Sequence, residues 1–145
     1  SPDTLKRIIK KHLEKRPAVT LATVTVPDFE DWREGLKYFG RIVRNSDGSI
    51  KDSIEFKDAS DEEKEIKELN PCLYVFDAKW LWENLKKINK KNVQGEYYLT
   101  DVIPLAFQNG DKIESIEMDS HEALGANFQK ELEVLEKVKS ILSLP

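Results

Sequence analysis

One cysteine, six glycines and no excess of positive charge mark this chain of 145 residues, and each scarcity excludes something. A single thiol, Cys72, forms no internal disulfide and has no partner at metal-binding spacing. Placed inside the apolar run PCLYVF, it is expected to be a buried structural thiol. The formal net charge of −4 leaves no broad basic face for phosphate neutralisation, so a nucleic-acid partner is not expected. No apolar run approaches the roughly 20 residues a membrane-spanning helix needs, and nothing resembles a signal peptide. A cytoplasmic location with no membrane partner is the expectation. The chain also lacks an initiator methionine and opens on a helix-start signal, which suggests a piece of something longer.

What is present reads as one domain over residues 1–145. Leu5, Ile8, Ile9 and Leu13 recur at helical spacing and predict a helix over 3–16, ended by Pro17. VTLATVTV (19–26) is β-branched and predicts a strand, followed by a polar connection, DFEDWREGLKYFG. RIVR (41–44) and IKDSIEF (50–56) flank an Asp-Gly turn and predict a hairpin. Ser60 with Glu63 forms a capping-box pattern for a helix over 60–69. CLYVFDA (72–78) reads as a buried strand, 78–88 as a helix, and 99–110 as a helix with Thr100 near its start and Gly110 at its end. KIESIEM (112–118) alternates as a strand, and 128–142 closes the chain as an amphipathic helix. Alternation of this kind implies an α/β fold, a mixed sheet flanked by helices. Ligands of such sheets bind beyond the strands' carboxyl ends, which directs attention to the loops after residues 25, 56, 76 and 118.

Polar groups collect in a few segments. Gly40 enters a strand in YFGRIVR; Glu55 and Lys57 alternate in IEFKDAS; Asn70 precedes a strand in ELNPCLYVF. Tyr98, Thr100 and Asp101 crowd NVQGEYYLTD, and Asn127 stands in GANF. Singly, each has an ordinary structural account. Gly40 and Asn70 suit turns, Thr100 and Asn127 suit helix caps, and Glu55 with Lys57 suits a solvated pair. Arg41 fits either a substrate or a packing role.

In order and in wording, YFGRIVRN, SIEFKDASDEEKEIKELN, NVQGEYYLTDVI and GANF resemble the sugar-1-phosphate nucleotidylyltransferases. The likeness is greatest to the uridylyltransferase domain of the bacterial N-acetylglucosamine-1-phosphate uridylyltransferases. It implies the C-terminal half of a Rossmann-like, GT-A-like nucleotidyltransferase domain, the half that binds the sugar. In that family a nucleotidyl group, here UMP from UTP, passes to N-acetylglucosamine 1-phosphate with release of pyrophosphate. The resemblance assigns substrate contacts to Gly40, Glu55, Asn70, Tyr98 and Thr100, and a Mg²⁺ contact to Asn127. It gives Lys57 a lesser role in ordering Glu55. Asp101 reads mainly as a helix-start charge favoured by the dipole. Partners implied are a sugar 1-phosphate and a nucleotide-sugar.

The sequence departs from the family in three ways. Pro71-Cys72 replaces small residues after the motif asparagine, and DFEDWREGL replaces a short polar stretch. The family's first half, with its Gly-rich triphosphate loop, its base-reading segment and its metal-binding aspartate, has no counterpart among these residues. Three expectations follow: the chain supplies the sugar side of a site and is inactive alone; it is a non-catalytic binding module; or it is completed by another chain or by self-association through an exposed sheet edge.

Overall fold

The computed structural model describes residues 1–124, together with Glu133, Glu136 and Ser140. The predicted helix over 128–142 therefore lies almost wholly outside the described residues. Helix α1 (Pro2–Lys15) starts where the sequence places it: Ser1 caps it by accepting from the Thr4 amide, and Pro2 sits in its first turn. Strand β1 (Val19–Thr25) is buried along nearly its whole length, because both faces of the sheet are covered there. Ala22, Val24 and Val26 join Ile8 of α1 on one side, and Leu21 joins Ile103 on the other. Full burial of each such aliphatic side chain stabilises the fold by about 1.5–3 kcal/mol.

The hairpin forms as expected, from β2 (Gly40–Arg44) and β3 (Ile50–Ile54). Gly48 takes a positive φ of 83° in its turn, a conformation the Asp-Gly pair accommodates without strain. Helix α2 (Asp61–Lys64) carries the complete Ser60–Glu63 capping box but stops after a single turn. Residues expected to continue it instead form strand β4 (Glu68–Asn70), whose Leu69 lies opposite Val24 of β1 and Arg41 of β2. A place between two strands offers Leu69 full burial, which outweighs the local helical preference of the segment.

Strand β5 (Tyr74–Phe76) pairs with β1 on the same edge as β4, with Tyr74 opposite Leu21. Five residues thus advance from Leu69 to Tyr74 against three of β1, and the surplus is taken up at Pro71–Leu73. Cys72 adopts a left-handed φ of 59° at this bulge and is exposed, correcting the expectation of a buried thiol. Proline cannot donate to the ladder, so the strand breaks there and Cys72 turns off the core.

Helix α3 (Ala78–Asn84), capped by Asp77, runs into a 3₁₀ turn over Leu85–Lys87. Another 3₁₀ turn, Leu99–Asp101, leads into α4 (Val102–Gln108), with Pro104 in the first turn, where its missing amide proton costs least. Strand β6 (Ile113–Glu117) pairs parallel to β1 on the edge opposite β5. The described sheet runs β3-β2-β4-β1-β5 with β6 beside β1, which is the mixed α/β sheet flanked by helices that the alternation implied.

The connection between β1 and β2 is more ordered than the sequence suggested. Asp31–Tyr38 forms a 3₁₀ helix, with Leu36 buried and Phe29 and Trp32 packed against the main core. Trp32 stacks on His121 at 4.3 Å, and Arg33 pairs with Asp28 at 2.6 Å. Period-based reading missed this segment because its apolar residues, spaced along a 3₁₀ turn, fit neither the α-helical nor the strand repeat. None of the helices among the described residues is long and apolar enough to cross a membrane.

Candidate functional site

A cleft of about 200 Å³ opens between β3, the 91–98 loop and the start of α4. Asp52, Ser53, Ile54, Glu55 and Asp58 line one wall; Lys91, Asn92, Tyr98, Asp101 and Pro104 line the other. Of the loops at the strand ends, the one that follows β3 is the contributor.

Four of the residues singled out in the sequence meet beside this cleft. The Thr100 hydroxyl donates to Glu55 Oε1 at 2.9 Å, joining motifs that lie 45 positions apart. Thr100 is buried, and its side chain serves this bond in place of the helix cap its position suggested. Gly40 faces Asn70 across the β2–β4 register. A Cβ built on Gly40 would lie 3.2 Å from the Ile54 carbonyl oxygen, 3.7 Å from Asn70 Cβ and 3.8 Å from Glu55 Oε2. Glycine therefore lets β2 approach the Ile54 carbonyl more closely than a side chain would allow. Gly40→Ala is expected to cost about 1 kcal/mol, because the close approach to a strand carbonyl exceeds the gain from a stiffer unfolded chain. A thermal melt unchanged from wild type would contradict this.

Asn70 is 2% exposed and its amide is fully engaged. Nδ2 donates to Ser53 Oγ at 2.7 Å and to the Tyr74 hydroxyl at 2.6 Å, while Oδ1 accepts from the Cys72 amide at 2.9 Å. Ser53 lines the cleft, so Asn70 communicates with it through that hydroxyl. Burial holds the Tyr74 phenol far above its ordinary pKa, and it stays protonated at any working pH.

Tyr98 lines the cleft and accepts from Gln94 Nε2 at 2.7 Å. Its pKa is raised by partial burial first and then by the negative charge of Asp58. Lys57 donates to Gln94 Oε1, not to Glu55, which corrects the ordering role expected for it. Its long side chain reaches the 92–95 turn, whereas Glu55 is held by Thr100. Asp58 ties down the same turn by accepting from the Val93 amide at 2.7 Å, a contact the sequence reading did not anticipate. Four carboxylates, of Asp52, Glu55, Asp58 and Asp101, thus crowd one cleft. Burial, then repulsion from Asp52, Asp58 and Glu55, raises the pKa of Asp101. Asp52 is raised as well, again chiefly by burial.

Arg41 belongs to the fold. Buried at 1% exposure, it donates to the carbonyls of Lys37, Phe39 and Lys64. Asn127 lies outside the described residues. Among those that are described, no three His, Cys, Asp or Glu side chains converge as ligands of a metal ion.

No family model matches the chain. It is similar to the bifunctional protein GlmU of Clostridium acetobutylicum, with 43% identity over 130 residues, 90% of this chain and 27% of the relative. The GlmU proteins of Streptococcus thermophilus and of Streptococcus pyogenes serotype M3 match at 39% and 41% over 137 residues, 94% of this chain. The chain thus spans little more than a quarter of the length of the curated relatives it matches. Among solved structures, a nucleoside-diphosphate-sugar pyrophosphorylase from Vibrio cholerae RC9 superposes with a TM-score of 0.60 at 14% identity. That superposition covers 86% of this chain and 48% of the other, and it shows the shared nucleotidyltransferase-like α/β fold. The resemblance carried by the sequence motifs is borne out: over nine-tenths of its length the chain is similar to part of the bifunctional GlmU proteins.

Proposed function

We propose, from this kinship with part of the GlmU proteins, that the chain forms the sugar-1-phosphate side of a nucleotidyl-transfer site. The single observation that carries the reading is the Thr100–Glu55 hydrogen bond, which sets two distant motifs side by side next to Gly40 and Asn70. Glu55 keeps Oε2 as an acceptor for a sugar hydroxyl, and Thr100 holds the carboxylate in place. Gly40 brings its backbone close beside Glu55, and Tyr98 supplies a hydroxyl and an aromatic edge from the loop.

The ligand we assign is N-acetylglucosamine 1-phosphate. Its phosphate oxygen would attack the α-phosphorus of UTP, and the bond from that phosphorus to the bridging oxygen of pyrophosphate would break. Catalysis of this kind is positioning and charge neutralisation, and these residues contribute positioning. Mg²⁺, which the Asn127 amide oxygen suits as a hard donor, would neutralise the phosphates when bound. No Gly-rich triphosphate loop stands among these 145 residues, so alone they are expected to be inactive.

A coupled pyrophosphate assay and an NMR titration test the reading together. With UTP, N-acetylglucosamine 1-phosphate and Mg²⁺, the expected result is no pyrophosphate release. The sugar phosphate alone is expected to bind with an affinity on the order of millimolar, shifting the amides of Gly40, Glu55, Asn70 and Thr100. Steady pyrophosphate release would sink the half-site reading. Micromolar or tighter binding would mark the chain as a free-standing binding module.

A further inference from the structure

An anionic ligand entering this cleft meets a difficulty. Four carboxylate residues line it, and among the described residues Lys91 is the one basic residue that does. The sugar hydroxyls can be met by carboxylates, but the phosphate end is repelled by them unless a cation stands near. Three lysines of the neighbouring loops are engaged elsewhere. Lys57 donates to Gln94, Lys87 donates to Asn84, and Lys90 lies over the Tyr97 ring at 4.8 Å. The Lys91 ammonium makes no ion pair among the described residues.

The backbone that carries Lys91 is pinned. Its amide donates to Asn89 Oδ1 at 2.8 Å, and two residues later the Val93 amide donates to Asp58 Oδ1. Asn92 closes the turn by accepting from the Glu96 amide at 3.1 Å and, through its carbonyl, from the Gly95 amide at 3.1 Å. Gly95 supplies the left-handed φ of 67° that this closure needs. Asp58, a cleft carboxylate, therefore fixes the loop that carries Lys91 along the cleft.

We propose that Lys91 is the specificity-determining contact for the phosphate-bearing end of the ligand, holding it on the loop side of the cleft while the carboxylates take the sugar hydroxyls. The inference rests on the sugar-phosphate reading above and adds to it the residue that distinguishes a phosphorylated from a free sugar. A flexible ammonium on a pinned turn suits that task, since it can follow the phosphate while its root stays in place.

The test is an NMR titration of the 145-residue chain with N-acetylglucosamine 1-phosphate and, separately, with N-acetylglucosamine. Wild type, Lys91→Ala, Lys91→Arg and Lys57→Ala are compared, with circular dichroism to establish that each folds. Lys91→Ala is expected to weaken the phosphate ester about ten-fold and to leave the free sugar unchanged. Lys91→Arg is expected to keep most of the affinity, and added salt to narrow the gap between wild type and Lys91→Ala. Unchanged phosphate-ester affinity in Lys91→Ala overturns the proposal, as does an equal loss for both ligands. A larger loss in Lys57→Ala than in Lys91→Ala also overturns it, by moving the phosphate contact to the other lysine. If wild type binds neither ligand, the sugar-phosphate reading itself fails and this inference falls with it.

Discussion

Replacing Arg41 with methionine is expected to cost about 3–5 kcal/mol of stability, a large part of what a domain of this size possesses. Arg41 sits on β2 between β3 and β4, where its Cα lies opposite Ile54 and Leu69. Nη2 donates to the Lys37 carbonyl at 2.8 Å and to the Lys64 carbonyl at 3.1 Å, Nε reaches Lys64 at 3.2 Å, and Nη1 reaches Phe39. The guanidinium also lies 5.0 Å from the Phe29 ring and 5.4 Å from the Phe56 ring. Burial lowers its pKa from the ordinary guanidinium value, opposed by the charge of Glu65, and it remains a cation at neutral pH. Methionine fills much of the volume but leaves three carbonyls without their donor, each worth about 1–3 kcal/mol when buried. Lysine keeps the charge yet offers no fork to reach three carbonyls, so Arg41→Lys is expected to recover only part of the loss. Urea unfolding followed by tryptophan fluorescence measures both. A midpoint shift equivalent to less than about 1 kcal/mol for the methionine variant would show that the carbonyls find water instead.

This arginine also shows where sequence reading stops. Features encoded within a few residues were legible: the Ser60–Glu63 capping box, the Asp47-Gly48 turn and the left-handed Gly110 all stand where their local chemistry put them. Strand β1 was legible because burial on both faces demands an unbroken β-branched run. What escaped were outcomes decided by distant partners. α2 ends early because Leu69 gains more between β1 and β2 than in a second helical turn. The 31–38 segment is ordered by Trp32 stacking on His121, some 90 positions away, and no local pattern announces that contact. Arg41 was undecidable for the same reason: its three acceptors come from two separate segments, the end of the 31–38 helix with Phe39 and the end of α2.

The candidate site was legible in its members and not in their connections. Motif wording picked out Gly40, Glu55, Asn70, Tyr98 and Thr100, and the fold sets Thr100 on Glu55 and Gly40 beside Asn70. Spacing alone could not say that Lys57 would turn to Gln94, or that Asp58 would anchor Val93. Both depend on where the 91–98 loop lies, and that loop is placed by tertiary contacts.

The second large effect is expected at Asn70. Asn70→Leu nearly conserves volume but orphans three groups at once: the Ser53 hydroxyl, the Tyr74 hydroxyl and the Cys72 amide. Ser53 is buried and Tyr74 half-buried, so lost partners are not simply replaced by water and a destabilisation of about 3 kcal/mol is expected. The Cys72 bond matters beyond its own strength. Asn70 Oδ1 and the Cys72 amide form an Asx-type turn two residues long, which supports a left-handed φ that a non-glycine residue adopts at a cost of roughly 1–2 kcal/mol. Without it the Pro71–Leu73 bulge is free to relax, and with it the register of β5 on β1. Ser53→Ala removes one acceptor only and is expected to cost about 1 kcal/mol. Chemical denaturation of the two variants separates a keystone from an ordinary buried amide. A keystone gives the leucine variant several times the loss of the alanine variant, together with altered amide shifts at Tyr74 through Phe76. Equal losses with the β5 amides unmoved would reduce Asn70 to a single ordinary hydrogen bond.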